Sequence, residues 1–335
     1  MTHHALILIL CCSQLACSTG SPVPSQRPPN APRVAQPQKR LRPPWYRDIS
    51  KAKLARDSAE VIRWLEAAGG WGFGRFQIDF SFHVLTADAN TPRLEFEPTD
   101  DHFQPDCDIE AVPVPPNGAL EGEKGYACAH GDDCHLIVYD SVRKRLYEMW
   151  RANISAKRFR GGCLAVWDLK RAYGPSGRGL DCTSADAAGL PIAPMLFSAD
   201  EVQRGEVRHA LRFILPNARI RRHVYVAPAT HSTGATRGPA GAPPYGARLR
   251  LRADYPVDSL PSRGAKVLAR TLQRYGMFLA DGGNITLTGQ SDRFTKAKWK
   301  GLLGPHDLRP LKVSDFELVD GGEEIVFGDN CQRNR

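Results

Sequence analysis

The chain has 335 residues, enough for a sizeable core in one large domain or two small ones. Its formal charge is +9, but five basic residues (Arg27, Arg33, Lys39, Arg40 and Arg42) fall in residues 18–44, which contain no acidic residue. The remainder is only mildly basic, which argues against a nucleic-acid-binding surface.

In chain order, residues 5–10 (ALILIL) are apolar but too few to span a bilayer, and small residues and cysteines follow up to Cys17. Residues 1–17 therefore read as a signal peptide. LAC before STGS is similar to a bacterial lipoprotein cleavage site, with Cys17 as the lipidated residue. Gln14 stands where an aliphatic residue is usual, and the leader lacks Lys and Arg. Residues 18–44 hold eight of the 26 prolines and read as an extended tether that cannot bury a core.

A single β-rich domain is expected over residues 45–335. Asp57 and Glu60 form a capping-box pattern ahead of Val61, Ile62 and Leu65, and Gly69-Gly70 should stop that helix. In residues 76–85 (FQIDFSFHVL), Phe76, Ile78, Phe80, Phe82 and Val84 alternate with Gln77, Asp79, Ser81 and His83. That marks one half-buried strand whose polar row is solvated or lines a cleft. Further strands are expected at residues 135–140, 145–150, 163–169, 207–215, 223–226 and 247–254. Ser198 with Glu201 signals a short helix ending near Gly205. Another helix should run from Ser262 to Tyr275, burying Leu268, Leu272 and Tyr275. Many short strands with two or three short helices predict a mainly-β fold, a jelly-roll-like β-sandwich or a barrel.

Six cysteines lie outside the leader: Cys107, Cys128, Cys134, Cys163, Cys182 and Cys331. An even number without CxxC spacing reads as three disulfides in an oxidising compartment rather than a zinc site. Local spacing suggests Cys128–Cys134 and Cys163–Cys182, leaving Cys107–Cys331.

GxSxG, HExxH, Walker and dinucleotide-binding signatures are absent, so no cofactor is predicted. What remains is a set of polar residues on or beside predicted strands. Glu148, Asp168, Asp186 and Asp281 are candidates for the carboxyl pair of a glycosidase. His135, His209, His231 and Arg212 are candidates for a lyase's base and cation. Asp186 sits among small residues, and a lone buried carboxylate is costly, so it should be exposed, paired or at a site. The three histidines with a carboxylate also offer a divalent-metal site. Trp150 and Trp167 are sugar-stacking platforms or core residues. Arg248, Arg250 and Arg252 form a stripe that grips an acidic polymer or protects an edge strand.

The segments PVPPNGALEGE, CHLIVYD, RLYEMW, GGCLAVWDL, TSADAAGLPI, VRHALRF, VYVAPATH, PPYGARLRLRADY, LQRYGMFLADGGN and VSDFELVD occur in this order over residues 113–320. That series resembles a widespread family of secreted bacterial proteins with no settled activity, often carbohydrate-associated. The motif positions are His135, Glu148, Asp168, Asp186, His209, Arg212, His231 and Asp281. Here Cys182 and Ala227 replace two tryptophans of the family pattern, and Gly283-Asn284 stands for its NGS, which implies a different ligand subsite.

The expectation is a secreted or surface-anchored enzyme acting on polysaccharide, hydrolase or lyase. Asp186, Asp168, Glu148, His135 and His209 are its catalytic candidates; Arg212, His231, Asp281, Trp150 and Trp167 are its substrate-binding candidates. The alternative is a non-catalytic glycan-binding module. A glycan ligand, a lipid anchor in the outer membrane and a monomer are the expected associations.

Overall fold

The computed structural model describes residues 42–129, 131–155 and 158–334. The expected signal peptide, most of the tether and Cys17 lie outside the described residues.

A six-stranded mixed sheet runs in the order Ile78–Phe82, Leu287–Gln290, Leu211–Leu215, Met277–Gly282, Arg248–Leu251, Phe316–Val319. Its Leu211–Leu215 and Met277–Gly282 strands are parallel, as are Ile78–Phe82 and Leu287–Gln290; the remaining pairs are antiparallel. A four-stranded sheet runs Cys163–Asp168, Arg145–Trp150, Leu136–Asp140, Val84–Ala87. The fold is mainly β, with helices α1 (Ser58–Ala67), α2 (Ala199–Arg204) and α3 (Arg263–Arg274). Both large sheets are open, so the barrel alternative is not formed among the described residues. The described residues make one compact unit.

Helices form where the caps were legible. Ser198 accepts from the Glu201 amide and Glu201 answers to the Ser198 amide, and Gly205 closes α2 at φ 91°. Ser262 caps α3, whose Leu268 and Leu272 enter the main core with Val61, Ile62 and Leu65 of α1. Asp57 is the N-cap of α1 but its side chain makes no capping bond, so only the boundary of that pattern holds.

Three sequence expectations are corrected. Residues 76–85 are two strands, Ile78–Phe82 and Val84–Ala87, which part at His83 and join different sheets. Their polar row is not a solvated face: His83 is 7% exposed, and Asp79 and Ser81 bond to each other and on to Glu121. Arg248 and Arg250 form no exposed stripe, because Arg248–Leu251 is an interior strand. Their guanidiniums fasten the chain near residues 44–52 instead. Arg248 donates to the carbonyls of Pro44, Arg47 and Tyr275, and Arg250 to those of Ile49 and Ala52 and to Glu317. Cys128–Cys134 pairs as expected, but the other bridges are Cys107–Cys163 and Cys182–Cys331. Proximity in sequence misleads here, because Cys163 opens a strand that the 107 loop crosses: the Asp108 amide donates to Leu164 O.

Candidate functional site

The segment TSADAAGLPI, residues 183–192, lies between the two large sheets and is held by side chains from both. From the four-stranded sheet, Glu148 is fully buried and accepts from the Ile192 and Ala193 amides and from Trp167 Nε1. His135 meets Glu121 through Nδ1 at 2.6 Å and the Ala185 carbonyl through Nε2 at 3.0 Å. Both partners only accept, so both ring nitrogens carry protons. Burial pulls His135 down, but the Glu121 carboxylate outweighs it and holds the ring up at about 9. Burial pushes Glu148 up to about 7 against its three donors.

From the six-stranded sheet, Arg212 forms a two-point pair with Asp186, Nε to Oδ2 at 3.1 Å and Nη2 to Oδ1 at 2.8 Å. The same Nη2 reaches Asp281 Oδ2 at 2.9 Å. Arg212 and Asp186 are 2% and 1% exposed, whereas the Asp281 side chain keeps 28%. Burial, then the neighbouring Asp186 charge, push Asp281 up to about 7; burial also raises Asp186 despite its guanidinium partner. Asp281 is crowded by protein but opens into a cleft of about 880 Å³.

That cleft is lined by Asp106, Asp133, Asp181, Asp186, Asp281 and Asp329, with the rings of Phe103, Trp150, Tyr245 and Phe327. No Lys or Arg lines it among the described residues. His231 donates Nδ1–H to the Ala187 carbonyl at 2.7 Å and packs edge-on against Phe327. Burial lowers its pKa, so at neutral pH the ring is uncharged and its other nitrogen, Nε2, is the unprotonated one. No protein-family model matches the chain, and neither a curated protein nor a solved structure matches it.

The structure thus brings Asp186, Asp281, His231 and Trp150 to one cleft, with Arg212 directly behind. It places the other candidates elsewhere. Glu148, His135 and Trp167 are buried fasteners of the 183–193 segment. Asp168 ends its strand beside Tyr173, and its carboxylate caps the Lys170 amide. His209 faces Glu201 and the Ala210 carbonyl in a separate depression with Tyr46. His135, His209 and His231 therefore share no metal site. The tight three-residue ligand groups among the described residues all rest on disulfide sulfurs. Sequence reasoning missed Asp106, Asp181 and Asp329, which sit on loops without periodicity. Their one available signal was proximity to Cys107, Cys182 and Cys331.

Proposed function

We propose that the chain is an extracytoplasmic hydrolase of a glycan that carries no acid groups. The observation that carries this reading is Asp281, a solvent-reached carboxyl held up to about 7 at the floor of an aromatic-walled cleft. A carboxyl with that pKa is protonated for a useful fraction of the time near neutrality and serves as a general acid. Asp281 gives its proton to the glycosidic oxygen as the bond from C1 to that oxygen breaks. A water oxygen bonds C1, and its proton passes to His231 Nε2; exchange with solvent restores both groups. Asp186 acts through Arg212 as a positioning residue, and Trp150, Phe103 and Phe327 offer faces for sugar rings.

Lyase chemistry is the weaker choice, because elimination next to a uronate needs a cation at that carboxylate, and the cleft wall supplies no Lys or Arg among the described residues. Three disulfides, the apolar leader and the likeness to a secreted bacterial family support an oxidising, extracytoplasmic setting, with Cys17 as a lipid attachment point. The test is a panel of polysaccharides incubated with the protein and with its Asp281→Asn variant. New reducing ends that vanish in the variant support the reading. Unsaturated sugar ends would replace it with a lyase, and retention on one polymer without cleavage would replace it with a binding module.

A further inference from the structure

The cleft is unevenly built. At one end the charges of Asp106, Asp329 and Asp181 all act on the His231 ring. Asp106 accepts from the Thr183 amide, and Asp181 accepts from Tyr225 Oη–H and the Gly328 amide, so the donors on both are neutral. Asp329 is exposed at the rim and pairs with no cation among the described residues. The nearby guanidiniums of Arg178 and Arg333 reach the Asp106 carbonyl but are committed to the Asp108 carboxylate. Ser232, 0% exposed, lines the same cleft with its hydroxyl unpartnered. A buried hydroxyl left this way is unusual and points to a group that completes it on binding. All this occurs in a chain whose formal charge is +9, so the negative lining is local and not a reflection of overall composition.

We infer that this end of the cleft is an ammonium subsite, and that the glycan it takes is a polymer of amino sugars with free amines. The inference rests on the glycan reading above and specifies its substrate. A neutral sugar would strip water from three carboxylates and return no charge, whereas a uronate would be repelled. A sugar ammonium returns the charge and donates up to three hydrogen bonds.

The experiment is calorimetric titration of the full chain with a glucosamine oligomer, its fully N-acetylated counterpart and a glucose oligomer of equal length. It is run at about pH 5.5, where amines carry their proton. The glucosamine oligomer should bind at least about tenfold tighter than the others, and the preference should shrink with added salt. Asp329→Asn should weaken that binding by about three- to fivefold. Its melting curve should stay unchanged, because residue 329 is exposed at φ 53°, a conformation asparagine adopts readily. Equal binding of all three oligomers, indifference to salt and to Asp329→Asn, or saturation by calcium alone with no amine binding would overturn the subsite. Amine binding without cleavage supports the subsite and removes the hydrolase. Cleavage of a neutral glycan without amine preference does the reverse.

Discussion

Asp186→Asn separates scaffolding from chemistry. The Asp186 side chain is 0% exposed and its Arg212 partner 3%. Removing one member of a buried ion pair costs about 3–5 kcal/mol. Here the asparagine oxygen keeps one acceptor, and Asp281 stays on Arg212 Nη2 at 2.9 Å, which places the cost at the low end, about 3 kcal/mol. For a domain of this size that lowers Tm by roughly 6–12 °C. A second effect follows from charge. Asp186 is one of the causes that lift Asp281, so its neutralisation should bring Asp281 down from about 7 while burial keeps it above an ordinary aspartate. Thermal melts and a carboxyl carbon NMR titration read the two effects. An unchanged Tm with complete loss of glycan cleavage would mean that Asp186 reacts directly. An unchanged Asp281 titration would sink the charge coupling between Asp186 and Asp281.

Other predictions rest on the same layer. Glu148→Ala strands the Ile192 and Ala193 amides and Trp167 Nε1. It should cost about 3 kcal/mol or more by chemical denaturation, while Glu148→Gln costs clearly less. Asp281 and Glu148 sit near 7 when folded against ordinary values of 3.8 and 4.5, so between those values the native state holds more protons than the unfolded chain. Stability should therefore fall as pH rises from about 4 to about 7. His135 adds stability that is complete below 6.5 and is lost as pH rises through about 9. Together these make Tm higher at about pH 5 than at about pH 8, and a flat or inverted profile would contradict the assignments. Cys331→Ser opens a loop of 149 residues, for which the chain-entropy relation gives about 5 kcal/mol. Limited proteolysis should then cut near residues 327–331, with Tm reduced.

The helices and most central strands were readable because caps and periodicity are local physics. So was the status of Asp186: a carboxylate among small apolar residues had to be exposed, paired or at a site, and it is paired, with Arg212. The FQIDFSFHVL alternation failed because period two holds across a handover between sheets as well as within one strand. The arginines at 248 and 250 failed for a related reason. Alternating charge suits an exposed edge, but it also suits an interior strand whose carbonyl-rich neighbours arrive from 200 residues away in the chain. The acidic end of the cleft was illegible because three loops supply it, and two disulfides that bring those loops together pair against local spacing.

The grip on residues 183–193 has a consequence for how the molecule comes together. Its hydrogen bonds span 50 residues from His135, 44 from Glu148, 26 from Arg212 and 44 from His231. The segment has no strand or helix of its own over 183–192; Ser184 bonds within it to Asp186 and Leu190, and these remote partners fix where it sits. Such long-range closures come late, after the flanking sheets exist to supply them. A peptide or half-chain carrying TSADAAGLPI would hold the motif's letters without its shape, so the cleft cannot be transplanted as a fragment.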